Sequence, residues 1–150
     1  MAKKIEIISK KLKTLDKSKH LLSYINKKVY SKSGEVVGNI YDVLLDKGRF
    51  SGFLVGGKRK MFIGKEFIES ESAKALVLNM DPVFNMIGKL VYDGAGKKIG
   101  NVSGVNRKSN ANVYSEIMVK TSLVKRSTPV SREDVGIAKK SIILKKAHGI

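Results

Sequence analysis

Histidine is the side chain that titrates nearest neutrality without help, so the two histidines are the first candidates for chemistry. His20 and His148 lie near opposite ends of a chain of 150 residues, and neither has the other at metal-ligand spacing. No cysteine is present, which removes disulfides, thiolate zinc sites and cysteine nucleophiles together. Serines and aspartates are plentiful, but a hydrolytic triad needs a rigidly held base, and neither histidine sits in a stretch that reads as rigid. The run "GAGKKIG", Gly94 to Gly100, has the glycines of a phosphate loop. It lacks Walker spacing, misses G-x-G-x-x-G by one residue and leads into a strand instead of a helix, so it reads as a hairpin turn. Asp93 beside Gly94 and Gly96 has too few carboxylates around it for a calcium loop. Glu66 and Glu133, preceded by Lys65 and Arg132, read as half-exposed turn or cap residues and not as an acid–base pair. The expectation is therefore no catalytic residue, no metal site, no cofactor and no small-molecule substrate.

Charge is the stronger signal. Thirty Lys and Arg stand against thirteen Asp and Glu, a formal net charge of +17. Such an excess favours a polyanionic partner. Residues 1–24 hold seven basic and two acidic residues, residues 25–80 ten and six, and residues 81–150 thirteen and five. Two basic runs stand out, Lys58-Arg59-Lys60 and Lys125-Arg126, at matching places before an apolar strand start. Around the second lie Arg107, Lys108, Lys120, Arg132, Lys139 and Lys140. Strand alternation places Lys58 and Lys60 on one face. A single lysine is adequately explained by solubility and blunted sheet edges; an excess of this size is not.

The elements that must carry these cations are written twice. "KKVYSKSGEVVGNIYDV" (27–43) returns as "KLVYDGAGKKIGNVSGV" (89–105), and residues 25–44 match 87–106 at eight identical positions without a gap. Both copies run from β-branched and aromatic residues into a glycine turn, then into a strand broken at the same place by Gly38 or Gly100. A bulge or sharp coil there would let a small sheet close on itself. "KRKMFIGKEFIES" (58–70) lies over "KRSTPVSREDVGI" (125–137) at an offset of sixty-seven. The offset has grown by five, and the polar loop Arg107 to Asn112 is the expected place for the added length. The pattern predicts an all-β protein of two tandem small antiparallel barrels: an arm over 1–22, domains over 23–80 and 85–146, a linker over 81–84 and a tail over 147–150. Ile5, Ile8, Leu12 and Leu15 have helical spacing, with Lys10, Lys11 and Lys13 largely elsewhere, so two expectations stand for the basic arm: an amphipathic helix that docks on the barrels, lies on an acidic membrane or folds on RNA, and a partly disordered segment.

The run I-x-K-x-V-Y-x-x-x-G-x-x-x-G-N-I/V-x-x-V, from Ile25 and again from Ile87, resembles the PRC-barrel family. So do the later I/V-x-x-E-x-V/I segment and the closing apolar strand. That resemblance implies small β-barrels serving as binding modules. Members include a ribosome-maturation factor and archaeal stand-alone forms that act as cell-division scaffolds. This chain has two such units and lacks the different N-terminal barrel of the ribosome-maturation members.

Two functions follow as expectations. The first is a non-enzymatic RNA-binding protein, ribosome-associated or an assembly factor, with ribosomal RNA and then ribosomal proteins as partners. No helix-turn-helix or zinc finger offers a recognition helix for DNA. Aromatics are few, though Tyr30, Tyr41, Tyr92 and Tyr114 could stack on bases. The alternative is a protein-binding scaffold for cell division or membrane-proximal assembly. Lysines 10, 11 and 13 interrupt the apolar stretch a secretory leader would need, and no run is long enough for a membrane helix, so a cytoplasmic location is expected.

Overall fold

In the computed structural model of the chain, residues 5–16, 18–121 and 126–147 are described. Lys125 and His148 lie outside them. The described residues form two compact units, one of residues 1–30 and 36–79 and one of residues 31–35 and 80–150. The first contains β1 (Lys28–Tyr30), β2 (Val36–Asp46), β3 (Arg49–Gly56), β4 (Lys60–Gly64), β5 (Ile68–Glu71) and β6 (Ala75–Leu78). The second contains β7 (Leu90–Tyr92), β8 (Lys98–Asn106), β9 (Glu116–Lys120), β10 (Thr128–Ser131), β11 (Val135–Ala138) and β12 (Ile142–Leu144). Each set makes one six-stranded sheet, in the orders β4-β3-β2-β1-β6-β5 and β10-β9-β8-β7-β12-β11.

The all-antiparallel expectation fails at one pair in each sheet, because β1 pairs with β6, and β7 with β12, in parallel. The reason is a count of reversals. β4 passes into β5 through the one-turn 3-10 helix Lys65–Phe67 without pairing to it, so only four hairpin-like reversals separate β1 from β6. An even number brings the chain back in its starting direction. β4 and β5 remain the two ends of the hydrogen-bonded order, so the ladder is not closed between them among the described residues.

The repeated residues are the structural ones. Val29, Ile40, Val55, Leu76 and Leu78 are fully buried in the first unit, as Val91, Ile117, Val119 and Ile142 are in the second. The turns after β1 and β7 use Gly34 and Gly96 at φ of 89° and 84°, each N–H donating to the carbonyl three residues back. Gly38 and Gly100 serve a different need. A Cβ on Gly38 would lie 2.4 Å from the Gly56 carbonyl oxygen, and one on Gly100 would lie 2.2 Å from that of Lys120. A bulge sits beside each glycine, where the β1–β2 and β7–β8 registers both slip by one residue. Asn39 and Asn101 then tie the coil by donating to the carbonyls of Asn26 and Gly88, at 3.1 and 3.2 Å.

Strand registers relocate the added length of the second copy. Ile40 pairs with Val55 and Val102 with Val119, so β9 lies sixty-four residues after β3. Leu54 pairs with Phe62 and Met118 with Pro129, so β10 lies sixty-seven after β4. Two extra residues thus enter before β9 and three after it, and only the first part falls in the region of Arg107 to Asn112. The hydrogen-bonded ladder fixes this; β3 and β9 are too unlike in sequence to align.

Of the two expectations for the arm, the helix is absent among the described residues. Residues 5–16 have no regular structure, and Ile5, Ile8 and Leu12 are exposed. An isolated turn or two of helix is marginal without a partner for its apolar stripe. Here the Ser9 hydroxyl also accepts from the Leu12 N–H at 2.9 Å, a local bond that competes with helix. Among the described residues no helix is long and apolar enough to cross a membrane.

Gly38→Ala and Gly100→Ala should each destabilise the protein by about 2–3 kcal/mol, the range of a serious backbone clash. Gly104→Ala, whose Cβ would meet nothing closer than 3.8 Å, should leave urea unfolding nearly unchanged. Equal tolerance at all three positions would refute the close-approach account.

Candidate nucleic-acid interface

The basic run of the first unit sits on a turn. Lys58 and Arg59 occupy the β3–β4 connection, closed by the Gly57 N–H donating to the Arg59 carbonyl at 3.1 Å, and only Lys60 is on a strand. The strand alternation expected of Lys58 and Lys60 is therefore absent, because a turn and not an extended segment separates them. All three side chains are exposed. Lys60 stands opposite Gly56, with its Nζ 5.6 Å from the centre of the Tyr41 ring.

In the second unit an open groove of about 360 Å³ brings together Lys108, Tyr114 and Arg132, with Glu133 also on its wall. The guanidinium of Arg132 lies 5.7 Å from the centre of the Tyr114 ring, and its backbone N–H donates to the Ser115 carbonyl at 3.0 Å. Burial pushes the Tyr114 phenol above its ordinary value of 10.0, while the Arg132 charge opposes that rise. The phenol therefore stays protonated at neutral pH, a donor beside two cations.

The remaining candidates divide. Arg107 is half-buried, stacks on Phe84 at 4.6 Å and donates to the Ala111 carbonyl at 3.2 Å, so it braces its own loop. Lys120 ends β9, Arg126 lies in the β9–β10 connection, and Lys139 and Lys140 form the β11–β12 turn. All four are exposed, as are Lys10, Lys11 and Lys13 on the arm. The corresponding β3–β4 and β9–β10 connections differ in length by three residues. Glu66 and Glu133 each sit in a 3-10 turn, and the Glu133 N–H donates to the Ser131 hydroxyl that caps it.

One lysine that repeats was not singled out by charge reasoning. Lys27 is buried, with Nζ 4.5 Å from the Tyr24 ring centre and 3.5 Å from the Glu71 carboxylate, which also pairs with Lys19. Its counterpart Lys89 pairs with Glu35 at 2.9 Å. Identity at the same place in both copies was the available signal. Each of these lysines faces a carboxylate and belongs to the frame. In the same way Asp81 is pulled upward by burial but held below its ordinary 3.8 by the Ser33 N–H and hydroxyl, helped by Ser31 and Lys89. Among the described residues no cluster of His, Asp and Glu could hold a metal ion.

Residues 20–81 match the PRC-barrel domain family. That stretch is similar to a PRC-barrel domain. The strands of the second unit all lie outside the matched span, and their sheet repeats the strand order of the first sheet element for element. No curated protein matches the chain.

The Arg132–Tyr114 contact has a direct test. Removing the guanidinium in Arg132→Ala should move the Tyr114 ionisation to still higher pH in a spectrophotometric titration against wild type. A shift to lower pH would mean the cation is not over the ring.

Proposed function

We propose that this is a non-enzymatic RNA-binding protein of the cytoplasm, ribosome-associated or acting in ribosome assembly. It holds RNA phosphates on exposed cations displayed by two β units. The observation that carries this reading is where the positive charge is left. Ion pairs between described residues engage Lys19, Lys27 and Lys89 and none of the candidate cations. All the described candidates except Arg107 are exposed, on turns, strand ends and the arm. A set of unpaired cations on short connections of a stiff sheet can neutralise phosphates without first breaking internal bonds, and gives up little side-chain order to do so. The groove of Lys108, Tyr114 and Arg132 supports a contact that combines charge with a polar ring. Such contacts read backbone and shape more than base sequence.

Binding to ribosomal RNA should weaken steeply with salt, log affinity falling by about 0.7–0.9 per decade for each phosphate contacted. Replacing Lys58, Arg59 and Lys60 together by Ser should lower that slope and weaken all RNA sequences alike. In a sucrose gradient at low salt the chain should travel with ribosomal subunits or their precursors. Absence of RNA binding at low salt, or recovery of a protein partner that survives nuclease and high salt instead, would overturn the reading in favour of a scaffold.

A further inference from the structure

The outer face of β2, β3 and β4 carries side chains that the matching face of the second unit does not. Tyr41 occupies the bulge between Ile40 and Asp42, which turns it outward, and it is 42% exposed. Its ring lies over Gly56, with Cδ1 3.2 Å from where a Cβ would stand. Phe62 is 49% exposed and lies over Gly52 in the same manner, its Cζ 2.9 Å from the absent Cβ. Leu54, paired with Phe62 and half-buried, stands between Gly52 and Gly56 on β3. Two glycines four residues apart on one strand, about 13 Å at the usual rise of ~3.3 Å per residue, thus seat the two aromatic rings.

The charge beside these rings is lopsided. Lys60 reaches over Tyr41, and Lys58 and Arg59 stand exposed on the adjoining turn. Of the acids on this face, Asp42 uses its Oδ1 to accept the Val43 N–H at 2.8 Å. Glu66 lies against Gly64, in the row of Gly52 at the end away from Lys60.

Strand register makes the second unit an internal control. The positions of Tyr41, Phe62, Gly52, Gly56 and Lys60 are held there by Ser103, Pro129, Glu116, Lys120 and Ser127. The Ser103 and Ser127 hydroxyls bond to each other at 2.6 Å, a polar closure where the first unit has an open ring and a cation. The buried positions Val29/Val91 and Val55/Val119 are the same in both. Packing therefore does not require the rings, and two exposed aromatics on a sheet face invite unwanted association unless something uses them.

We propose that this face is a stacking platform for single-stranded RNA, with Tyr41 and Phe62 receiving bases and Lys58, Arg59 and Lys60 holding the phosphates. The proposal rests on the RNA-binding reading above and assigns that binding a place and a mode. Rings with adjacent cations match a strand of alternating π faces and negative charge. A duplex does not fit, because its bases already stack on one another.

The test uses the full chain and an RNA oligonucleotide containing 2-aminopurine, either single-stranded or annealed to its complement. Fluorescence of the single strand should fall on saturation with wild type and with Tyr41→Phe. The Tyr41→Ser/Phe62→Ala variant should lose that signal and bind the single strand about tenfold to a hundredfold more weakly. Its affinity for the duplex should be unchanged, and its circular dichroism and melting should match wild type. Lys60→Ser should instead lower the salt slope by about 0.7 while keeping the quench. No quench with saturating wild-type protein overturns the platform whatever the variants do, and so does equal weakening toward single strand and duplex. Loss of a captured protein partner from the ring variant, with RNA binding intact, would make the face a protein-docking surface. If wild type binds neither RNA, the RNA-binding reading itself falls; if it binds both and the ring variant changes neither, only the platform does.

Discussion

At two points in this chain backbone lies directly on backbone, at Gly38 against Gly56 and at Gly100 against Lys120. A side chain at either place would push β2 from β3, or β8 from β9. The bulge beside each glycine adds the coil that brings the short strands β1 and β7 between two neighbours, one antiparallel and one parallel. Once β1 is held on both sides, Val29 has no route to solvent, and Ile40, Val55 and Leu76 close around it. The core of each unit thus depends on the absence of one methyl group.

A sheet buried on one side leaves its other side and its connections to water, and the cations follow that division. Lys58, Arg59, Lys139 and Lys140 sit on turns, where a lysine or arginine need not give up hydration. The exceptions prove instructive in energetic terms. Lys27 and Lys89 approach the core, and each is met by a carboxylate, because an ammonium taken from water without a partner is costly. Positive charge is left available outside because the charge inside is paired.

Two copies of one unit also separate what folding demands from what it merely permits. Positions facing inward stayed apolar: Val29/Val91 and Val55/Val119 are unchanged, while Phe53/Ile117 and Ile40/Val102 exchange one hydrophobe for another. Positions on the outer face drifted apart: Tyr41, Phe62 and two glycines on one side, Ser103, Pro129, Glu116 and Lys120 on the other. The first arrangement exposes rings beside a lysine, and the second covers the same area with small or charged groups. The shared six-stranded frame tolerates both, so its presence alone says little about what either face meets.

The β character, the duplication and the placing of Gly34, Gly38, Gly96 and Gly100 were legible in the residues, because local preferences of glycine and β-branched side chains act within a few positions. The family resemblance read from the same residues agrees with the match over residues 20–81. The helical spacing of the arm was legible too but did not decide its structure, since periodicity forms a helix only where something covers the stripe. The parallel β1–β6 and β7–β12 pairs, the split of the added residues between two loops, the turn position of Lys58 and the burial of Lys27 were decided by tertiary structure. So were the two pairings of ring and cation, Tyr114 with Arg132 and Tyr41 with Lys60, which join residues eighteen and nineteen positions apart. Spacing along a chain carries no information about such pairs; the hydrogen-bonded register, satisfied across whole strands at once, fixes which side chains share a face.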